Sequence, residues 1–120
     1  MTGKTIEDVL AFRDERNWKQ FHNPKDLALS ISLEASELLE LYQWKNGDEI
    51  YEVDRERISE ELADILNYAI LFADTLGLDM DEIIETKLRK NGEKYPVELA
   101  KDSKMKYNEL KAKARDKERK

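Results

Sequence analysis

Glu34 and Glu37, in the stretch SLEASELLELYQW, and Glu61 and Asp64, in ISEELADILNYAI, are the residues of this chain best placed to do chemistry. Each pair is spaced i, i+3, so on a helix its two carboxylates stand side by side on one face. Leu27, Ile31, Leu38 and Leu41 recur at helical spacing and predict a buried stripe, in which Glu34 takes a place where another aliphatic residue is expected. Ile58, Leu62, Ile65, Ala69, Phe72 and Leu76 predict a second stripe, with Glu61 and Asp64 on its flank. A carboxylate buried without compensation costs several kcal/mol, so such a group is paired, protonated or bound to metal. If the two helices face each other, four carboxylates share one small volume. Two like charges ~4 Å apart repel by about 4 kcal/mol at an effective dielectric of ~20. A divalent cation that prefers oxygen ligands offsets that repulsion directly. A lone Glu reads as a solvated helix former; two pairs, both against apolar stripes, read as a metal site.

The rest of the composition narrows the metal. The chain has no cysteine, which excludes zinc–thiolate sites and disulfides. Its one histidine, His22, belongs to no ExxH motif, so the di-iron carboxylate bundles are disfavoured. All-oxygen ligation points to Mg²⁺, with Mn²⁺ as a possible substitute. Mg²⁺ keeps several waters and is often completed by substrate phosphates, so the chemistry expected is hydrolysis of a phosphoanhydride. Paired acids also serve glycoside hydrolysis, but nothing here supplies a sugar cleft. Trp18, Phe21, His22 and Trp44 flank the start and end of the helix that carries Glu34. They fit a sandwich around a nucleobase, or equally the core at a bundle end. Lys87, Lys94 and Tyr95 could reach phosphate oxygens and Asn91 a phosphate or sugar hydroxyl; the lysines fit equally well as helix-end cations facing the macrodipole.

Four helices must position these groups. Thr5, with Asp8 three residues on, caps a first helix that carries Ile6, Val9, Leu10 and Phe12 and runs to about Trp18. Asn23-Pro24 starts a second, which runs to about Trp44 and closes at Asn46-Gly47. Asp54 caps a third that stops at Gly77, and Asp79 with Glu82 caps a fourth that closes at Asn91-Gly92. Lys94-Tyr95-Pro96 then reads as extended. No segment alternates with period two, so no sheet is expected. Short connections favour antiparallel neighbours in an all-α four-helix bundle.

With 120 residues the chain fits one domain, although a small helical domain often gains by oligomerising. Residues 98–120 hold nine Lys/Arg and five Asp/Glu, a net of +4, which leaves −10 on the remainder of a chain whose total is −6. We therefore expect a helical catalytic domain over 1–97 and a charged tail, helical or frayed, over 98–120. An acidic body that handles an anionic substrate needs bound cations, in keeping with the metal reading. The acidic balance argues against nucleic-acid binding. MTGKTIEDVLAF has acids where a signal peptide needs an apolar run, and no stretch approaches the ~20 apolar residues that span a bilayer. The expected location is the cytoplasm, away from membranes.

Four stretches, ERNWKQFHNPKDL, LEASELLELYQW, EELADILNYAI with LFADTLGLD after it, and KLRKNGEKYPVE, together resemble the MazG-like nucleoside triphosphate pyrophosphohydrolases, most closely their dCTP pyrophosphatase branch. They span roughly residues 12–98 in the same order. The resemblance implies the all-α pyrophosphatase fold, and cleavage of a (deoxy)nucleoside triphosphate into monophosphate and pyrophosphate as nucleotide-pool house-cleaning. It implies Mg²⁺ on Glu34, Glu37, Glu61 and Asp64, with Glu34 or Glu37 orienting the attacking water. Base and sugar contacts fall on Trp18, His22, Trp44, Tyr68 and Asn91, and phosphate contacts on Lys87, Lys94 and Tyr95. Homodimers or homotetramers with sites near subunit interfaces are implied, as is a dCTP-like or modified pyrimidine substrate, with dUTP a neighbouring alternative. The rival readings are a nucleotide-binding regulator without turnover and a non-catalytic interaction module.

Overall fold

The computed structural model describes residues 2–101, and these are helical with no strand among them. They belong to two compact units, Met1–Leu78 and Asp79–Lys120, each described by itself. Most of the tail expected after residue 97 lies outside the described residues.

The first unit holds α1 (Gly3–Glu15), α2 (Pro24–Glu40) and α3 (Arg55–Thr75), with 3-10 turns at Lys19–Phe21 and Gly47–Tyr51. The caps are chemical. Asn23 accepts from the Asp26 amide and stands before Pro24 at the first helical position. Asp54 accepts from the Glu56 amide to open α3. Gly77, at φ +68°, closes α3 in the left-handed region that costs glycine least. α1 begins earlier than expected: the Thr2 hydroxyl, not Thr5, caps it, accepting from the Thr5 amide at 3.3 Å. It also ends earlier, at Glu15, and Asn17 turns left-handed at φ 53°.

α2 likewise stops at Glu40 rather than Trp44. From Leu41 the amides bond three residues back, Leu41 to Leu38, Tyr42 to Leu39 and Gln43 to Glu40, which tightens the chain out of the α-helix. Trp44 then takes φ 68°, an uncommon conformation for a bulky side chain. Gly47 does not cap α2; it opens the second 3-10 turn.

α2 packs chiefly on α3, and α1 also touches α3. Leu27, Ile70, Leu71 and Ala73 form the buried core. The expected α2 stripe faces inward, Leu27 buried and Ile31, Leu38 and Leu41 half-buried. Of the expected α3 stripe, Ile58, Ile65, Ala69 and Phe72 are half-buried while Leu62 and Leu76 are 46% and 49% exposed, and Ile70, Leu71 and Ala73 beside it are buried. Leu29 and Leu33 on α2, and Leu66 beside Leu62 on α3, also remain exposed.

The most buried charge is Arg13, 3% exposed. It continues the line Ile6, Val9 and Leu10 into the interior, and its Nη1 donates to Asp74 Oδ2 at 2.6 Å while Nε donates to Asp14 Oδ1 at 2.8 Å. One guanidinium thus ties α1 to the end of α3. Losing one partner of a buried charge leaves it uncompensated. Asp74→Ala should therefore destabilise the chain by about 2–3 kcal/mol, Asp74→Asn by less, and Arg13→Leu combined with Asp74→Ala should recover part of the loss. Urea unfolding checks this, and an unchanged midpoint for Asp74→Ala would refute the tie.

The second unit holds α4 (Met80–Lys94) and a single turn, α5 (Val97–Ala100). Asp79 caps α4 by accepting from the Glu82 amide at 2.9 Å. The expected stop at Asn91-Gly92 is overrun: α4 continues through Gly92 to Lys94. Pro96 disfavours helix at the residue before it, and Tyr95 leaves at φ −124°, ψ 69°.

Candidate active site

The packing of α2 on α3 brings the two acidic pairs together. Glu34, Glu61 and Asp64 each offer a carboxylate oxygen, and these three atoms lie within 4.8 Å of one another. Glu34 Oε2 and Glu61 Oε2 are buried without a hydrogen-bond partner. Burial, and next the adjacent Glu37 carboxyl, push Glu34 up to about 7. The same causes, in the same order, raise Glu61, and Arg57 opposes them. Glu37 is thus electrostatically part of the cluster although it is more exposed.

Such a set fits a hard divalent cation. The donors are all oxygen, two of them lack any other partner, and their mutual repulsion is what a +2 charge removes. Neither helix could do this alone: i, i+3 spacing makes each pair, and α2–α3 packing makes the cluster.

Beside the acids lies an open pocket of about 420 Å³. Asp64 and Tyr68, one turn apart on α3, stand on its wall with Trp18, His22, Phe12 and Arg13. Trp18 is held edge-on to Phe12, with ring centroids 5.9 Å apart, and the Arg16 guanidinium lies 3.5 Å from the Phe12 ring centre and 5.8 Å from that of Trp18. His22 Nδ1 is buried and unpartnered. Burial first, and the Arg13 cation second, lower its pKa, so the ring is neutral at pH 7 with one nitrogen free to accept.

Of the residues expected to contact substrate, Trp18, His22 and Tyr68 thus share this pocket. Trp44 is not on its wall; it stands after α2, 86% exposed, so the unit does not form a Trp18–Trp44 sandwich. Lys87, Asn91, Lys94 and Tyr95 all lie in the second unit, on and just after α4. Sequence reasoning missed Arg13 and Asn67, which also line the pocket. Asn67 is legible afterwards as the i+3 neighbour of Asp64. A second pocket, about 570 Å³, opens on Glu37 and Glu61 and is lined by Lys45 and Arg57 among others.

The chain is 36% identical over 115 residues to dCTP pyrophosphatase 1 of Homo sapiens and to that of Rattus norvegicus, covering 88% of this chain and 68% of each relative. The crystal structure of a pyrophosphatase from Archaeoglobus fulgidus superposes with a TM-score of 0.72 at 37% identity, covering 78% of this chain and 90% of that one. The MazG-like family model matches residues 29–110, a span that holds all four acids and runs past residue 97. An all-α chain with this cluster and these matches belongs to the MazG-like family.

Proposed function

We propose that this chain is a nucleoside triphosphate pyrophosphohydrolase that releases pyrophosphate and a nucleoside monophosphate, acting on dCTP or a modified pyrimidine triphosphate to keep the nucleotide pool clean. The observation that carries the reading is the meeting of Glu34, Glu61 and Asp64 beside a pocket lined by Trp18, His22 and Tyr68. The hydrolase class draws further support from relatives named as pyrophosphatases.

In this reading Glu34, Glu37, Glu61 and Asp64 hold Mg²⁺, which when bound would neutralise phosphate oxygens and acidify a water. Glu34 or Glu37 orients the water that attacks phosphorus. Trp18 gives the base a face on which to stack. His22 Nδ1, already dehydrated and unpaired, gives the base edge or sugar a hydrogen-bonding partner at little further cost. Trp44 and the second-unit residues Lys87, Asn91, Lys94 and Tyr95 enter as further substrate contacts on the strength of the resemblance alone. Exposed Leu29, Leu33, Leu62 and Leu66 favour a homo-oligomer, in which a second copy covers them. Among the described residues no helix is long and apolar enough to cross a membrane.

Stacking is worth ~1–3 kcal/mol per base. Trp18→Ala should therefore raise KM for the triphosphate roughly tenfold while kcat changes less; an unmoved KM would remove Trp18 from the site. The function as a whole is tested with a panel of canonical and modified triphosphates, with and without Mg²⁺, scoring pyrophosphate against monophosphate and free phosphate. Cation-dependent pyrophosphate release with a pyrimidine preference is expected. Nucleotide binding without release would make the chain a regulator, and neither binding nor release would leave an interaction module.

A further inference from the structure

The acid cluster is a wall between two unlike spaces. Asp64 lines the pocket that is mostly apolar and carries Trp18. Glu37 and Glu61 line the other, which is mostly polar and also carries Lys45 and Arg57. Arg57 stands one turn before Glu61 on α3, so both project from the same face, and its charge is felt by Glu61. Yet neither Arg57 nor Lys45 closes an ion pair or side-chain hydrogen bond with the carboxylates around it. Glu40 also faces this space, so three carboxylates meet two cations there. The balance there is negative by one charge before the divalent cation that the neighbouring acids would hold is counted. With the base on Trp18 and the polyphosphate crossing the acids, the far end of the substrate reaches toward this second space.

We propose that Lys45 and Arg57 form the subsite for the leaving pyrophosphate, gripping the two phosphates farthest from the base. This deepens the pyrophosphohydrolase reading and rests on it for the direction in which the substrate lies. A guanidinium meets phosphate oxygens two at a time, and a lysine adds a mobile point charge. Among the described residues neither has an ion-pair partner, so no internal ion pair has to break there. The subsite also explains selection by length: a nucleoside diphosphate brings one phosphate to a place built for two, and a monophosphate brings none.

The test is calorimetric binding of inorganic pyrophosphate in the presence of Mg²⁺ to the parent, Arg57→Gln, Lys45→Gln and the double variant, with thermal melting to confirm folding. Each single change should weaken pyrophosphate at least about tenfold and the double change more, whereas nucleoside monophosphate should bind all four proteins within about twofold. Arg57→Lys should recover part of the loss. Pyrophosphate binding the double variant as tightly as the parent, or not binding the parent at all, overturns the subsite. Loss of pyrophosphate and monophosphate affinity together also overturns it, because the two residues would then serve the cluster as a whole. If pyrophosphate binding follows these residues while the parent turns over no triphosphate, the subsite stands and the hydrolase reading falls.

Discussion

Glu61→Gln is expected to abolish the rise in melting temperature that Mg²⁺ gives the parent, to cut pyrophosphate release by at least about 10²-fold, and to raise the melting temperature of the metal-free protein. The three effects have one cause. In the parent, Glu61 Oε2 is buried with no hydrogen-bond partner, and Glu34 and Asp64 oxygens lie within 4.8 Å of a Glu61 oxygen. Without a cation that arrangement is unfavourable twice over, through lost hydration and through like-charge repulsion. An amide of nearly the same shape removes one charge and supplies donors to the carboxylates beside it, so the empty cluster relaxes. The same change takes a ligand from the cation and adds N–H groups where its neighbours need only acceptors. A ligand that binds only the folded state raises stability with its concentration over Kd, so a weakened site shows as a vanished thermal shift. Melting curves at several Mg²⁺ concentrations, with a release assay, read all three. A surface role for Glu61 predicts the opposite pattern, with no change in any of them, and retention of the parent's Mg²⁺-dependent shift would refute the assignment.

That cluster was legible because each half of it is local. An i, i+3 pair against an apolar stripe can be read from one helix, and the caps Asn23, Asp54 and Asp79 are equally local. What escaped depends on distance or on competition between signals. Nothing local singles out Arg13; the partner that justifies its burial, Asp74, lies 61 residues away. The end of α2 was misplaced because Asn46-Gly47 is a strong stop, but the chain had already left the helix at Leu41 through amides that bond three residues back. Left-handed Trp44 follows from that early exit, and no propensity favours tryptophan there. The α3 stripe was read with the right period but too narrowly, since α3 meets both α1 and α2 and buries Ile70, Leu71 and Ala73 as well. Lys45 and Arg57 were invisible as a pair for the same reason as Arg13: one follows α2, the other opens α3, and only packing gives them a common space.

The second large effect concerns protons, because they compete with the cation for the same oxygens. Glu34 is held at about 7 in the folded chain against an ordinary 4.5, with burial the first cause and Glu37 the second, and Glu61 is displaced in the same direction. Between those two values the metal-free folded state holds more protons than the unfolded chain. Its stability therefore falls as pH rises through that window: the contribution is whole below the ordinary value and lost above about 7. His22 works the other way, since burial, with help from Arg13, lowers it from 6.5 and the unfolded chain then binds the extra proton. A His22→Asn background isolates the acidic contribution. In that background the melting temperature without metal should decline from pH 5 to pH 8. Saturating Mg²⁺ should flatten or reverse the decline, because cation binding requires Glu34 ionised. The affinity itself, measured by titration calorimetry, should drop by up to about tenfold for each pH unit below 7 if one proton is displaced, and more steeply if Glu61 gives up a second. Proton release on binding, read from the dependence of the apparent enthalpy on buffer ionisation, should accordingly be larger at pH 6 than at pH 8. An affinity that is level from pH 5.5 to pH 8 would mean that the cation does not sit on Glu34, and the four acids would then be a charged seam that folding tolerates rather than a site that it builds.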